Sequence, residues 1–492
     1  MNEIVAYQYP KYEKASEAGY AAILTYSKHK PTKSEQLVWR QLTVASAMRF
    51  VQEFPEDERR GQVLVNTSEM LLTGKYYEQA LATANLAWQS EGKLSARHRY
   101  GASLVRSHSS FHLEQYVEAE QAITEALSYE KIKARARKDL REKLAASVYK
   151  QGELAKAAGD NDLAVKNWLR IAALVPESDI KVSAEFDAAT LLMAAEKYDQ
   201  AVPVLLDFRK TYPKHRLVKD IPSKLIVAYE SQENWRGAAF ELKKIWQQGG
   251  NKDQQRIALF QSAEYFEKAD DLDNALAMYK RYAHDYKRPF NPAVEAHHKL
   301  DQIYLAQGDD IKRLFWMNKI VWLHLGAKND KTDRSKYLAA KAAYELGENE
   351  RIKFDRVKIT LPLDKSINRK NKLMKAALDR YTQAVQIGVL EFTTSATYRI
   401  AELYSQFGKG LLASERPEGL DELELEEYGY LLEDQAFPLE EAAIEVHQTN
   451  AGRTFDGLYD QWVKKSYGSL ADLMPAQYAK YEKQVSYVDA IR

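Results

Sequence analysis

Four alanines, Ala164, Ala201, Ala238 and Ala275, stand 37 residues apart, and each opens the same kind of local sequence. The segments read GDNDLAVKNWLRIA, AEKYDQAVPVLLDF, QENWRGAAFELKKI and ADDLDNALAMYKRY. A small residue or an acidic turn comes first, and large apolar residues follow the alanine at +4 and +7. A fixed period of this size marks a repeat architecture, here stacked helix pairs. Such a chain works through a surface, because each repeat contacts only its neighbours and leaves a long face free.

The repeat has a mechanical reading. Two helices that cross closely need a small side chain at the crossing, and the four alanines fit that position. Trp168, Leu205, Leu242 and Tyr279 at +4, with Ile171, Phe208, Ile245 and Tyr282 at +7, share one helix face and are expected to fill the core between repeats. Pro176 and Pro213 follow their alanines by 12 residues, where a helix should stop. Upstream, Tyr77-Glu78-Gln79-Ala80 and Tyr116-Val117-Glu118-Ala119 repeat the pattern; downstream, QGDDIKRLFWMNKIV keeps the turn and loses the alanine. Six or seven helix pairs are predicted.

This spacing resembles the tetratricopeptide repeat family, and FRKTYPKH after the second regular repeat is similar to its longer-period variant in bacterial envelope proteins. The expected fold is all-α: a right-handed superhelix, or solenoid, of TPR-like helix pairs ending in an irregular helical C-terminal domain. Residues 1–56 are expected to be N-terminal helices belonging to a preceding repeat, 57–325 the superhelix and 326–492 the C-terminal domain. With Gly (21) and Pro (13) scarce among 492 residues, nearly all helix is expected. One strand-like run, FDRVKITLPL near Phe354 to Leu363, interrupts that reading. The thirty-one tyrosines read mainly as inter-helix packing with a wet hydroxyl end.

Charge is balanced, 71 basic against 70 acidic residues, so no global field draws the chain to nucleic acid or an anionic membrane. Locally it is uneven. One basic stretch runs from Lys131 to Lys143; a second holds Lys365, Arg369, Lys370, Lys372, Lys375 and Arg380. An acidic stretch from Glu418 to Glu441 follows it. Either these are solvated faces, the last two attracting each other within the chain, or they dock partners by complementary charge. The sequence leaves both open.

No cysteine is present, which removes disulfides, thiolate metal sites and cysteine nucleophiles. No apolar run approaches the ~20 residues that span a bilayer. The first thirty residues lack the basic start and apolar core of a signal peptide and read as an amphipathic helix already under way. A cytosolic chain, a mature form and the C-terminal portion of a longer protein all fit; the last two are expected, because ASEAGYAAILTY is similar to a repeat-internal segment of the envelope proteins.

Motifs of chemistry are missing. There is no phosphate-loop glycine upstream of Gly74-Lys75, no HExxH and no GxSxG. His297 and His298 are adjacent and point to different sides of a helix; His108 and His112 have metal-compatible spacing without a third ligand. No cofactor is expected. A helical accessory domain of a peptidoglycan-cleaving enzyme remains an alternative, although the glutamate motif of that catalytic domain is not evident.

After about Leu325 the regular spacing fails while helical periodicity persists. Leu373, Ala377, Tyr381 and Ala384 share a face. Two helix segments divided near Phe437-Pro438 are predicted, because the residue before proline avoids helical geometry. Trp462, Tyr467, Leu470 and Leu473 are expected to pack back on the preceding helix, with Pro475 starting a final tyrosine-rich helix. LEFTTSATYRIAELY, LLEDQAFPLEEAAIEVH and YDQWVKKSYGSLADLMPAQYAKYE, within Glu391 to Lys483, resemble the C-terminal region of large bacterial envelope tetratricopeptide proteins. Those proteins accompany TonB/ExbB/ExbD- or Tol-like energy-transduction components, and related ones belong to the gliding-motility apparatus. The resemblance implies a non-enzymatic adaptor in the periplasm or at the outer membrane, with TonB/ExbB/ExbD- or Tol-like proteins as partners.

For the four regular repeats, a helix or peptide held in the concave groove is expected to meet Lys150, Glu153, Asp187, Ala188, Lys224, Val227, Gln261 and Glu264 on the first helices. A second component is expected to dock at Trp462, Lys464, Lys465 and Tyr478. The competing reading is a cytosolic peptide-binding co-chaperone or regulator that clamps a C-terminal carboxylate. Lys150 and Lys224 suit such a clamp, but its paired asparagines are absent.

Overall fold

The computed structural model describes residues 1–9, 12–29, 31–32, 34–90 and 94–480. These residues contain twenty-three α-helices and two short 3-10 turns, and no strand. The chain divides into two units, 1–233 and 234–492. The first holds α1 (Asn2–Gln8), α2 (Ala15–Lys28), α3 (Gln36–Glu53), α4 (Arg60–Thr73), α5 (Tyr77–Trp88), α6 (Ala96–His112), α7 (Tyr116–Leu127), α8 (Ala134–Ala157), α9 (Asn161–Leu174), α10 (Ile180–Ala194), α11 (Tyr198–Thr211) and α12 (Ile221–Ser231). The second holds α13 (Trp235–Gln248), α14 (Lys252–Lys268), α15 (Leu272–Asp285), α16 (Phe290–Ala306), α17 (Asp310–Gly326), α18 (Asp333–Asp355), α19 (Leu363–Ile387), α20 (Leu390–Leu412), α21 (Glu422–Gly452), α22 (Gln461–Leu473) and α23 (Pro475–Tyr478).

One backbone solution recurs at seven turns. Lys75, Glu114, Gly159, Glu196, Glu233, Asp270 and Gly308 all have φ between 54° and 83°. In six of them the next N–H reaches back to the carbonyl five residues earlier, as Lys197 N does to Leu192 O at 2.9 Å, closing a Schellman cap. At four of the seven, Asp160, Asn234, Asp271 or Asp309 follows directly and caps the next helix by accepting a backbone N–H through its side chain. Five residues after each left-handed residue comes Ala80, Ala119, Ala164, Ala201, Ala238 or Ala275, every one fully buried. At the seventh turn that position is Arg313.

The expected core is in place. Trp168, Leu205, Leu242, Tyr279, Ile171, Phe208 and Tyr282 are buried, and Ile245 is partly buried. Helix α9 ends at Leu174 before Pro176, and α11 ends at Thr211 before Pro213. At α8–α9 the approach is closest at Gly152, where an added Cβ would sit 2.3 Å from the Trp168 indole nitrogen. That nitrogen donates to the Tyr149 carbonyl at 3.1 Å.

Within each unit a helix packs on its sequence neighbours. Direct next-but-one contacts join α4–α6 and α8–α10 in the first unit, and α16–α18, α18–α20 and α20–α22 in the second. In the second unit the first helices α16, α18, α20 and α22 therefore form a close inner row, and α17, α19 and α21 lie on its outer side. This arrangement is an all-α solenoid of helix pairs.

Two expectations about the C-terminal third need correction. The FDRVKITLPL run is no strand: Phe354 and Asp355 end α18, and the residues after them form a linker to Leu363 tied down by buried Lys370. Its Nζ donates to Phe354 O at 3.2 Å and Val357 O at 2.7 Å, so a cation satisfies one carbonyl in the last turn of α18 and one in the linker. Pro438 does not divide α21, which runs unbroken for 31 residues. Its ring lies on the exposed side, where water can satisfy the carbonyl that loses its donor. The expected final helix is described only as α23, Pro475–Tyr478; residues 481–492 lie outside the described residues.

Candidate functional site

The first-helix residues divide into three kinds. Lys150 and Glu153 form an ion pair at 2.5 Å on α8. Asp187 on α10 accepts the Tyr149 hydroxyl at 2.7 Å, so these three sit together. Lys224 lies 5.5 Å over the Phe186 ring. Val227 and Gln261 are exposed. Glu264 is half-buried; burial pushes its carboxyl up, and Lys299 opposes that. Ala188 is fully buried and fills the core, so it offers no surface to a partner.

At the C-terminal end, Asp460 caps α22 through the amides of Trp462 and Val463. This places the Trp462 ring 5.4 Å from Tyr398, with Lys465 Nζ 4.3 Å and the Arg399 guanidinium 5.3 Å from it. Lys464 is exposed, and Tyr478 lies 6.3 Å from Tyr467. Leu470 is buried, as the back-packing of α22 requires.

A different surface stands out on the outer row of the second unit. On α17, Met317, Ile320, Val321 and His324 turn inward, which leaves Phe315 51% and Trp322 65% exposed. Lys319 bridges their rings at 5.4 and 5.8 Å. Because the inner row packs closely, a cleft of about 360 Å³ opens between α17 and α19, lined by these residues with Arg380 and Gln383. Farther along the same face of α19, Arg369, Lys372, Leu373 and Ala376 line a second cleft of about 870 Å³ with Arg356 and Lys358 of the linker. Positions 369, 372, 373, 376, 380 and 383 follow helical i, i+3/i+4 spacing, so one stripe of about 21 Å joins both clefts. Lys319, Arg356, Lys358, Arg369, Lys372 and Arg380 have no carboxylate within ion-pair distance among the described residues.

The basic stretch and the acidic stretch do not neutralise one another: no ion pair joins residues 365–380 to 418–441 among the described residues. The sequence exposed both charge runs. It did not single out Phe315 or Trp322, whose one signal was the lost alanine in QGDDIKRLFWMNKIV.

Among the described residues no group of three or more His, Asp or Glu is arranged to hold a metal ion. His108 Nε2 is in hydrogen-bond contact with Lys143 Nζ, and both line a cavity of about 160 Å³. Burial, then the Lys143 and His112 charges, pull its imidazole down to about 4. Among the same residues no helix is long and apolar enough to cross a membrane.

No protein-family model matches the chain, and no curated protein matches it. Among solved structures it is similar to a tetratricopeptide repeat protein from Parabacteroides merdae ATCC 43184, at 12% identity and TM-score 0.22, over 56% of this chain and 94% of that one. It is also similar to the structure of Naa15/Naa10 bound to HypK-THB, at 14% identity and TM-score 0.27, over 85% of this chain and 64% of that one.

Proposed function

We propose that this chain is a non-enzymatic protein-interaction scaffold whose principal docking surface is the α17–α19 outer face. The observation that supports it is the joining of two exposed aromatics to unpaired cations along one stripe. Exposed aromatics beside charged groups are what a partner desolvates to gain affinity, while the charges steer its approach. First-helix residues of each unit (Lys150, Glu153, Asp187, Lys224 and Val227 in the first, Gln261 and Glu264 in the second) and the Trp462–Lys464–Lys465–Tyr478 corner are proposed as secondary contacts. Placement in the bacterial envelope, periplasmic or at the outer membrane, rests on the sequence resemblance at Glu391 to Lys483 and is proposed with it. TonB/ExbB/ExbD- or Tol-like components are the proposed partners.

The test is affinity purification of the tagged chain from its own host after fractionation, wild type beside Trp322→Ala/Arg380→Glu. The expected result is envelope recovery with ExbB- or Tol-like proteins, lost in the variant. Recovery in the cytosolic fraction would remove the envelope placement. Equal recovery of partners by both forms would remove the surface assignment.

A further inference from the structure

Helix α21 carries the counterpart of this surface. Leu432, Ala436 and Ala443 face the body and are buried. The opposite face repeats every seven residues: Leu423, Tyr430 and Phe437 form an apolar column, 66%, 59% and 59% exposed. Beside it run Glu426, Glu433 and Glu440, then Glu427, Asp434 and Glu441, all exposed and none in an ion pair among the described residues. A heptad face of this kind is built to lie along another helix. Two copies of α21 cannot pair with each other, because their carboxylate columns would face one another.

We propose that the α17–α19 surface receives the outward face of α21 from a second copy of this chain. The proposal rests on the reading of that surface as a protein-docking site and names its occupant in the isolated chain, a second copy that the host partners displace. Three features match. The apolar column from Leu423 to Phe437 spans 14 residues, as does the α19 stripe from Arg369 to Gln383, each about 21 Å as helix. The carboxylate columns meet the α19 cations, and the apolar column meets the exposed Phe315 and Trp322. Within one chain the two faces form no ion pair, so each remains free to engage a different copy.

The experiment is sedimentation velocity of the full chain at about 50 µM, in about 50 mM and about 500 mM salt. Self-association is expected at low salt, weakened at least about tenfold at high salt. Reversal of the receptor (Lys319→Glu/Arg369→Glu/Arg380→Glu) or of the ligand face (Glu427→Lys/Asp434→Lys/Glu441→Lys) should each give monomers. Mixing the two reversed variants should restore association, since each then offers a face complementary to the other. A monomeric wild type at both salts, or association indifferent to both reversals, overturns the proposal. If the wild type is monomeric while Trp322→Ala/Arg380→Glu still loses host partners, self-docking fails and the docking surface stands.

Discussion

Arg313 occupies the position that six earlier repeats give to alanine, and its Nε lies 3.3 Å from Oδ1 of Asp301 on the paired helix. The same guanidinium reaches Glu345 on α18. A long cation thus replaces close backbone approach where the regular spacing ends, tying α16, α17 and α18 together. Asp301 is 5% exposed; Arg313 supplies its opposite charge, and the Gln302 amide donates to its other oxygen at 2.9 Å. Arg313→Ala is expected to cost about 3–5 kcal/mol in urea unfolding. Asp301→Leu added to it should recover most of that loss. An additive double variant would show that the pair is not coupled.

Gly152 predicts a steric effect in the first unit. A methyl group there would meet the Trp168 indole and break its bond to the Tyr149 carbonyl. Gly152→Ala should therefore destabilise by about 1–3 kcal/mol despite alanine's better helix propensity. Thermal unfolding followed by circular dichroism would check it. A more stable variant would mean the helices can separate freely.

The left-handed turn residues give the opposite sign. Glu196 has φ 56° with a side chain that gains nothing from that geometry. Glu196→Gly should stabilise by about 1 kcal/mol, and Gly159→Glu, at φ 83°, should destabilise by a similar amount. Chemical denaturation of both variants reads this directly.

Acid should loosen the α20–α22 region. His447 is fully buried, with Nδ1 3.3 Å from Ser466 Oγ, Nε2 3.8 Å from Glu402 and its ring against Tyr398. Burial pulls its imidazole down to about 4. An unfolded histidine titrates near ~6.5, so the unfolded chain takes up the proton first. Stability is then complete above about pH 6.5 and falls as pH drops toward 4, by about 3 kcal/mol for this group. His108, His297, His298 and His324, lowered first by burial, act with the same sign. Hydrogen exchange in α20–α22 should rise across this window, and less so in His447→Leu. A flat profile would contradict the assignment.

The sequence reading succeeded where one residue type decides the geometry. An alanine is needed at a close crossing, and its column located α5, α7, α9, α11, α13 and α15. The left-handed positions were hidden because lysine, glutamate and aspartate fill most of them, so no glycine signal marks them. Pro438 misled because its effect depends on which side of α21 faces water, a tertiary fact. The surface around Phe315 and Trp322 was illegible for the same reason. Helix α17 is apolar on several sides, and only packing against α16 and α18 decides that Ile320 and Val321 go inside. Its cations, by contrast, were visible as the 365–380 run.

Partners are proposed to meet the outer row between α17 and α19. Site-specific photo-crosslinking in the living host tests this most directly, with the reactive side chain placed in turn at Phe315, Trp322, Arg380, Val227 and Gln261. Crosslinks concentrated at the first three positions are predicted. Crosslinks confined to the first-helix positions Val227 and Gln261, or none at any position, would contradict it.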